Sequence, residues 1–258
     1  MGGAEIGDSP VTPRKIGGTT RLSSKIHKWL ALIIGVQMLF WFASGLFFAA
    51  VPIERVRSEH SIRELEPAPI ALPLAAQGLA RVAAAEAGGA DKVELRSLIG
   101  RPVALITRGK ARPRLYDLPS GRLLSPFDGA EATRIAAANY KGEGRPLRAS
   151  LVTSESTEYR GALPAWRVDF DDGANRAFYV SADLGTVAAR RSDLWRIYDF
   201  LWGLHIMDWK NHQDFNHPWL WSVTALGLII IVTGFVLIPG RMGWTRAWRR
   251  RRPRDVDD

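Results

Sequence analysis

Residues 219–238 read WLWSVTALGLIIIVTGFVLI, twenty positions without a charge. At 1.5 Å of rise per helical residue such a run covers about 30 Å, the hydrocarbon thickness of a bilayer. Ser222, Thr224 and Thr233 interrupt it, and hydroxyls in a helix can bond back to their own backbone. The stretch predicts a membrane span. Upstream lies a segment from Leu194 that is crowded with Trp and Tyr and holds His205, followed by a polar loop, Lys210–Pro218.

A second uncharged run, Trp29–Val51, has Gln37 and Ser44 as its polar side chains. Lys25 and Lys28 precede it in the manner of a signal peptide. Its apolar part is much longer than the ~7–15 residues of a secretory core, and Phe47 and Phe48 occupy the positions where a cleavage site needs small residues. It reads as a retained span. Ala31 and Gly35 form a small-x3-small pair that suggests a close helix contact there.

Charge orients the two spans. Residues 1–28 carry five cations against two acids, and residues 240–258 carry seven Arg against three Asp. The much longer stretch 52–218 is nearly balanced, with 23 Lys and Arg against 21 Asp and Glu. The positive-inside rule then puts both termini in the cytoplasm and the middle across the membrane. The overall charge of +9 is thus mainly a topology signal. An Arg tail beside a membrane is drawn to anionic lipid, so no nucleic-acid partner is expected. The absence of cysteine excludes disulfides, thiolate catalysis and Cys-ligated zinc or iron–sulfur clusters within this chain.

In order, the chain reads as a disordered leader (1–24), a first span (25–51), a charged Pro-containing linker (52–73), a translocated domain (74–191), an amphipathic aromatic interfacial helix with a His-containing loop (192–218), a second span (219–239) and a basic tail (240–258). The translocated domain falls into two similar halves. Leu74–Ala87 is a short amphipathic helix followed by strand-like runs at Val93–Leu98, Val103–Thr107 and Pro113–Leu118. Gly129–Asn139 is a second helix, followed by runs at Leu147–Thr153, Ala165–Asp171 and Arg176–Val180. Trp166, Val168, Phe170, Phe178 and Val180 alternate, which predicts one buried sheet face. A helix and antiparallel strands, used twice, give an α+β domain flanked by two transmembrane helices.

The run Val168-Asp-Phe-Asp-Asp-Gly173 and the run Phe178–Val187 resemble the strand–turn–strand end of a PepSY domain. The flanks resemble PepSY-associated transmembrane proteins, with His27-Lys28-Trp29 before the first span, Leu204-His205 before the last, and Ser44-Gly45 and Thr233-Gly234 within them. The resemblance covers residues 25–240 and implies that the halves are tandem PepSY-like repeats in a periplasmic domain of a bacterial inner-membrane protein. Larger relatives include haem-bearing reductases for ferric siderophores. This chain has two spans and no flavin or nicotinamide domain, so the resemblance supplies no reductase unit of its own.

Tyr198, Trp202, His205 and Trp209 follow at spacings of four, three and four, one face of a helix. Such a face can lie at headgroup depth with His205 merely accommodated. With the resemblance, His205 becomes an axial ligand of haem b walled by Tyr198 and Trp202. His27 is the matching candidate at the cytoplasmic mouth. The two could not share an iron, because a span of ~30 Å separates them; each would need a partner from another subunit or a second copy. His212 and His217, with Asp208 and Asp214, have ligand types suited to a divalent metal, but Pro218 and the two Asn argue for a solvated loop. His60 reads as surface. Nucleophile elbow, Walker loop, dinucleotide fingerprint and HExxH are all absent. The expected function is a non-catalytic, membrane-anchored accessory or binding module with a membrane or periplasmic protein partner or a second copy of itself. A haem-bearing electron-transfer subunit for iron uptake is the alternative, and a periplasmic peptidase regulator the next.

Overall fold

The computed structural model describes residues 18–86 and 88–241, with side chains at 28–86, 88–232 and 235. The chain divides into two compact units, one formed by residues up to Ala43 and from Phe215 onward, the other by Ser44–Asp214.

In the first unit, helix α1 runs Gly18–Ala50 and so carries its last two turns into the second. Its section Lys28–Ala50 has 23 residues and a mean hydropathy of 2.0, long and apolar enough to cross a membrane. Trp29, Ile33, Leu39, Phe42 and Leu46 are each more than 60% exposed on it, an apolar surface that suits lipid rather than water. Residues 18–24, expected in a disordered leader, are helical instead. Extending an existing helix adds a hydrogen bond per residue without a new nucleation cost. Residues 1–17 and 242–258, the rest of the leader and most of the basic tail, lie outside the described residues. Helix α6 spans Pro218–Arg241, and its described apolar stretch is Pro218–Val232. A Cβ built on Gly227 would lie 3.6 Å from Ile34, so the two helices meet there. Among the described residues nothing lies within 4 Å of a Cβ built on Gly35, the position where a close helix contact was expected.

The second unit is mixed α and antiparallel β. Helix α3 (Leu72–Ala85) is followed by strands β1 (Lys92–Leu98), β2 (Arg101–Thr107) and β3 (Arg114–Asp117), in the order β1-β2-β3. Helix α4 (Gly129–Asn139) is followed by β4 (Arg145–Val152), β5 (Ala165–Asp171), β6 (Ala177–Ser181) and β7 (Val187–Arg191), which pair in sequence order. The first helix starts two residues early because Pro73 fits its first turn, where a missing N–H costs nothing. Asp128 caps α4, accepting the Glu131 amide at 2.8 Å.

The main core joins both halves. Val168, Phe170, Phe178 and Val180 pack with Ile135 and Ala136 of α4 and with Leu98, Val103 and Leu115 of the first sheet. Ala104, Ile106 and Tyr116 point the other way and pack with Val82 of α3. The three-stranded sheet is therefore covered on both faces, which is why Val103–Ile106 is an unbroken apolar run rather than an alternating one. A Cβ on Gly78 would meet Leu118 at 2.4 Å, so α3 can press against this sheet only with glycine there.

Two expectations need correction. The 52–73 segment is not a plain linker: α2 (Ile53–Val56) and a 3₁₀ turn (Glu59–Ser61) lie within it, Val56 is buried, and the Arg63 amide donates to Asn139 while Ser61 accepts from Lys141, both at 2.9 Å. Strand β7 was also not foreseen. Its Ala and Arg residues have little intrinsic strand preference, and pairing with β6 decides its state.

Candidate functional site

Helix α5 (Asp193–His205) starts at Ser192, whose hydroxyl accepts the Trp195 amide at 3.3 Å. Its next residues are fixed by charge. Glu158 receives Arg196 at 2.7 Å, Arg167 at 2.9 Å and the Tyr179 hydroxyl at 2.8 Å. Burial alone would raise the Glu158 pKa, but Arg196, Tyr179 and Arg167 outweigh it and hold the carboxyl below its usual range. Burial and the charge of Glu158 both act on the Tyr179 phenol, pushing it up to about 12. The network fastens α5 to the four-stranded sheet.

The opposite end of α5 carries the expected aromatic face. Tyr198, Trp202 and His205 come together, and they meet the last turns of α1. His205 Nδ1 lies 2.8 Å from the buried Ser44 hydroxyl. The Phe48 ring is 5.5 Å from the imidazole and 4.7 Å from Tyr198, and Trp202 stacks on His205 with planes 10° apart. Desolvation in this pocket lowers the His205 pKa, favouring the neutral ring. Trp209 does not join them. Helix α5 ends at His205, Met207 takes φ +57°, and Trp209 stands 66% exposed.

The loop His residues have separate tasks. Asp208 accepts four backbone amides, from Lys210, Asn211, Gln213 and Asp214, at 2.9–3.3 Å. Desolvation would raise its pKa, yet these amides hold its carboxyl far below the usual carboxylate range. The loop so shaped is not solvated at His212, as the sequence suggested. His212 Nδ1 is 2.6 Å from Asp199, and both side chains are only 15% exposed. Its ring lies against Gly203, where an added Cβ would be 2.4 Å from Cδ2. His217 Nδ1 accepts the Leu220 amide at 3.2 Å and so caps the start of α6. His60 is exposed, with Nε2 3.2 Å from Arg176. The His27 side chain lies outside the described residues. Among the described residues no three His, Cys, Asp or Glu side chains form a metal-holding group.

Among the described residues, one apolar helix of membrane-crossing length together with an α and antiparallel-β domain defines a membrane-associated α+β protein. The family model described as the PepSY-associated TM region matches residues 24–256, and the chain belongs to that family. No curated protein and no solved structure matches it. Sequence reasoning missed Ser44 as the partner of His205 and Asp199 as that of His212. The Ser44-Gly45 pair was visible, but nothing in the sequence says that it meets a residue 161 positions away.

Proposed function

We propose that this chain is a membrane-anchored PepSY module serving as a non-catalytic accessory or binding subunit of an inner-membrane complex. Residues 25–51 and 219–239 are its two spans, and the tandem-repeat domain between them faces the periplasm. The observation that carries this reading is the Ser44–His205 contact with its Phe48, Tyr198 and Trp202 surround. It ties helix α5 to Ser44 and Phe48 at several points, so this part of the domain presents an ordered surface. Presentation of a rigid surface is what a binding subunit needs, because ordering it in advance removes that entropy from the association step. Cross-linking in intact membranes followed by purification of the tagged chain should recover a membrane or periplasmic protein. The yield should fall with Phe48→Ala, which loosens the clasp. A chain that comes out alone refutes the reading; a protease as sole companion moves it to a peptidase regulator.

One observation favours the haem alternative. His205, oriented by the Ser44 hydroxyl at 2.8 Å, is the residue that would ligate a haem iron, and a fixed, neutral imidazole suits that role. The residues here would supply one ligand to such a group. His212 touches α5 at Gly203, and positions 203 and 205 of a helix point about 200° apart, so His212 cannot face the same iron. Haem b bound there would supply one-electron transfer; His205 would hold and orient it, and Trp202 and Phe48 would exclude water. The test is a visible spectrum of detergent-purified protein before and after dithionite. A Soret band that shifts on reduction and disappears in His205→Ala establishes this reading. Protein that stays colourless after addition of haem removes it and leaves the binding module.

A further inference from the structure

Between the tip of the β1–β2 hairpin and the β6–β7 turn lies a cleft of about 310 Å³, with Phe178 at its wall and Ile62 and Leu65 from the 52–73 segment along it. Two polar groups in this cleft stand out. The Nε of Arg190 and the hydroxyl of Ser97 are both shielded from solvent, and neither has a hydrogen-bond partner among the described residues. A shielded donor without an acceptor costs about 1–3 kcal/mol, more when it is charged. Burial pushes the Arg190 guanidinium pKa down; exposed Glu59 attracts it from beyond ion-pair distance, while Arg57 repels it. Glu66, also at the cleft, is exposed and solvated.

A third feature is backbone strain at the same place. Leu98 pairs with Arg101, so Ile99 and Gly100 form a two-residue turn, and both take positive φ, +45° and +83°. This geometry normally selects Asn or Gly at the first position. A β-branched residue there is an outlier of the kind that persists where the surroundings require it. Here the Ile99 side chain forms an apolar wall of the cleft.

We propose that this cleft, lined by Arg190, Ser97 and Ile99, is a binding site for a carboxylate carried on a short apolar chain, such as the C-terminus of a peptide ending in an aliphatic residue or a free aliphatic acid. Arg190 and Ser97 turn their shielded Nε–H and O–H toward the carboxylate as it enters, and Ile99, Leu65 and Phe178 contact the chain. The two shielded polar groups can both donate, while the Glu66 carboxylate at the cleft is exposed to water, so the polar end favours an anion over an amide. The inference rests on reading the domain as a binding module and assigns its ligand class.

The test is calorimetric titration of the full-length chain in detergent with N-acetyl-Ala-Val-Leu, its C-terminal amide, and hexanoate. The free-acid peptide should bind at least about tenfold more tightly than the amide, the worth of one charge-assisted hydrogen bond. Arg190→Gln should remove that preference. Ser97→Ala, which deletes one hydroxyl and leaves the fold intact by melting temperature, should weaken the acid by several-fold. Ile99→Asn, which suits the turn but removes the apolar wall, should weaken peptide and hexanoate alike. Binding of hexanoate without the peptide identifies a free acid as the source; binding of the peptide without hexanoate identifies a chain terminus. Equal affinity for acid and amide, no binding of any of the three, or unchanged binding by Arg190→Gln overturns the proposal. If that happens while a partner still cross-links to the chain, the cleft assignment fails alone and the proposed function stands.

Discussion

Gly203 shows how far a single hydrogen atom decides this structure. In an exposed helix interior, Gly→Ala is stabilising by about 1 kcal/mol. At Gly203 the added methyl would enter the His212 ring, with 2.4 Å to Cδ2. Gly203→Ala is therefore expected to destabilise by about 1–3 kcal/mol, and His212→Ala in the same chain should recover much of the loss, as measured by thermal unfolding. His205 gives a pH dependence. Its pKa is lowered in the folded protein, so its contribution is present above the unfolded value of about 6.5 and is lost as pH falls through the folded one. Trp fluorescence should report loosening of the α1–α5 contact between pH 7 and 5, and His205→Gln should flatten the profile. Tyr198, Trp202 and His205 were legible as one face because helical spacing is a local property. Ser44 and Asp199 were not, since their meetings with His205 and His212 depend on how the chain folds back.

At the scale of elements, the sequence was most informative where packing and periodicity agree. Ala165–Asp171 and Gly129–Asn139 have the boundaries that alternation and capping imply. It was least informative where a partner strand or a turn overrides local preference, as in β7 and at the end of α5. There Met207 in the left-handed region stops the helix four residues before the aromatic spacing would have carried it to Trp209. What holds α5 in place is Glu158, whose carboxylate gathers Arg167, Arg196 and Tyr179. Glu158→Gln removes the anion that Arg167 and Arg196 share, leaving Arg167 with Asp169 and Arg196 with Asp193. Removing one partner of a fully buried pair costs ~3–5 kcal/mol, and with the Glu158 side chain 21% exposed a loss of about 2 kcal/mol is expected. Urea denaturation monitored by circular dichroism reads it directly, and a midpoint equal to that of the unmodified chain contradicts the role.

For the whole molecule, charge and hydropathy carry most of the information. Most of the net positive charge lies at the two ends of the sequence, outside both apolar runs. If both runs span, a periplasm-active reporter inserted near Gly144 is active and one fused after Gly240 is silent; the reverse pattern refutes the topology. The α+β character of the domain was legible from two helix-and-strand series. The shared core was not, because a strand run covered on both faces has no alternation to show which neighbour covers which side. That two-sided burial also has a consequence in time. Residues 92–117 are synthesised before residues 129–180, which cover one of their faces. At ~5–20 residues per second the ribosome needs about 3–13 s to add the 63 residues between Asp117 and Val180. Throughout that interval Val103 and Leu115 lack the residues of the second half that cover them in the finished fold.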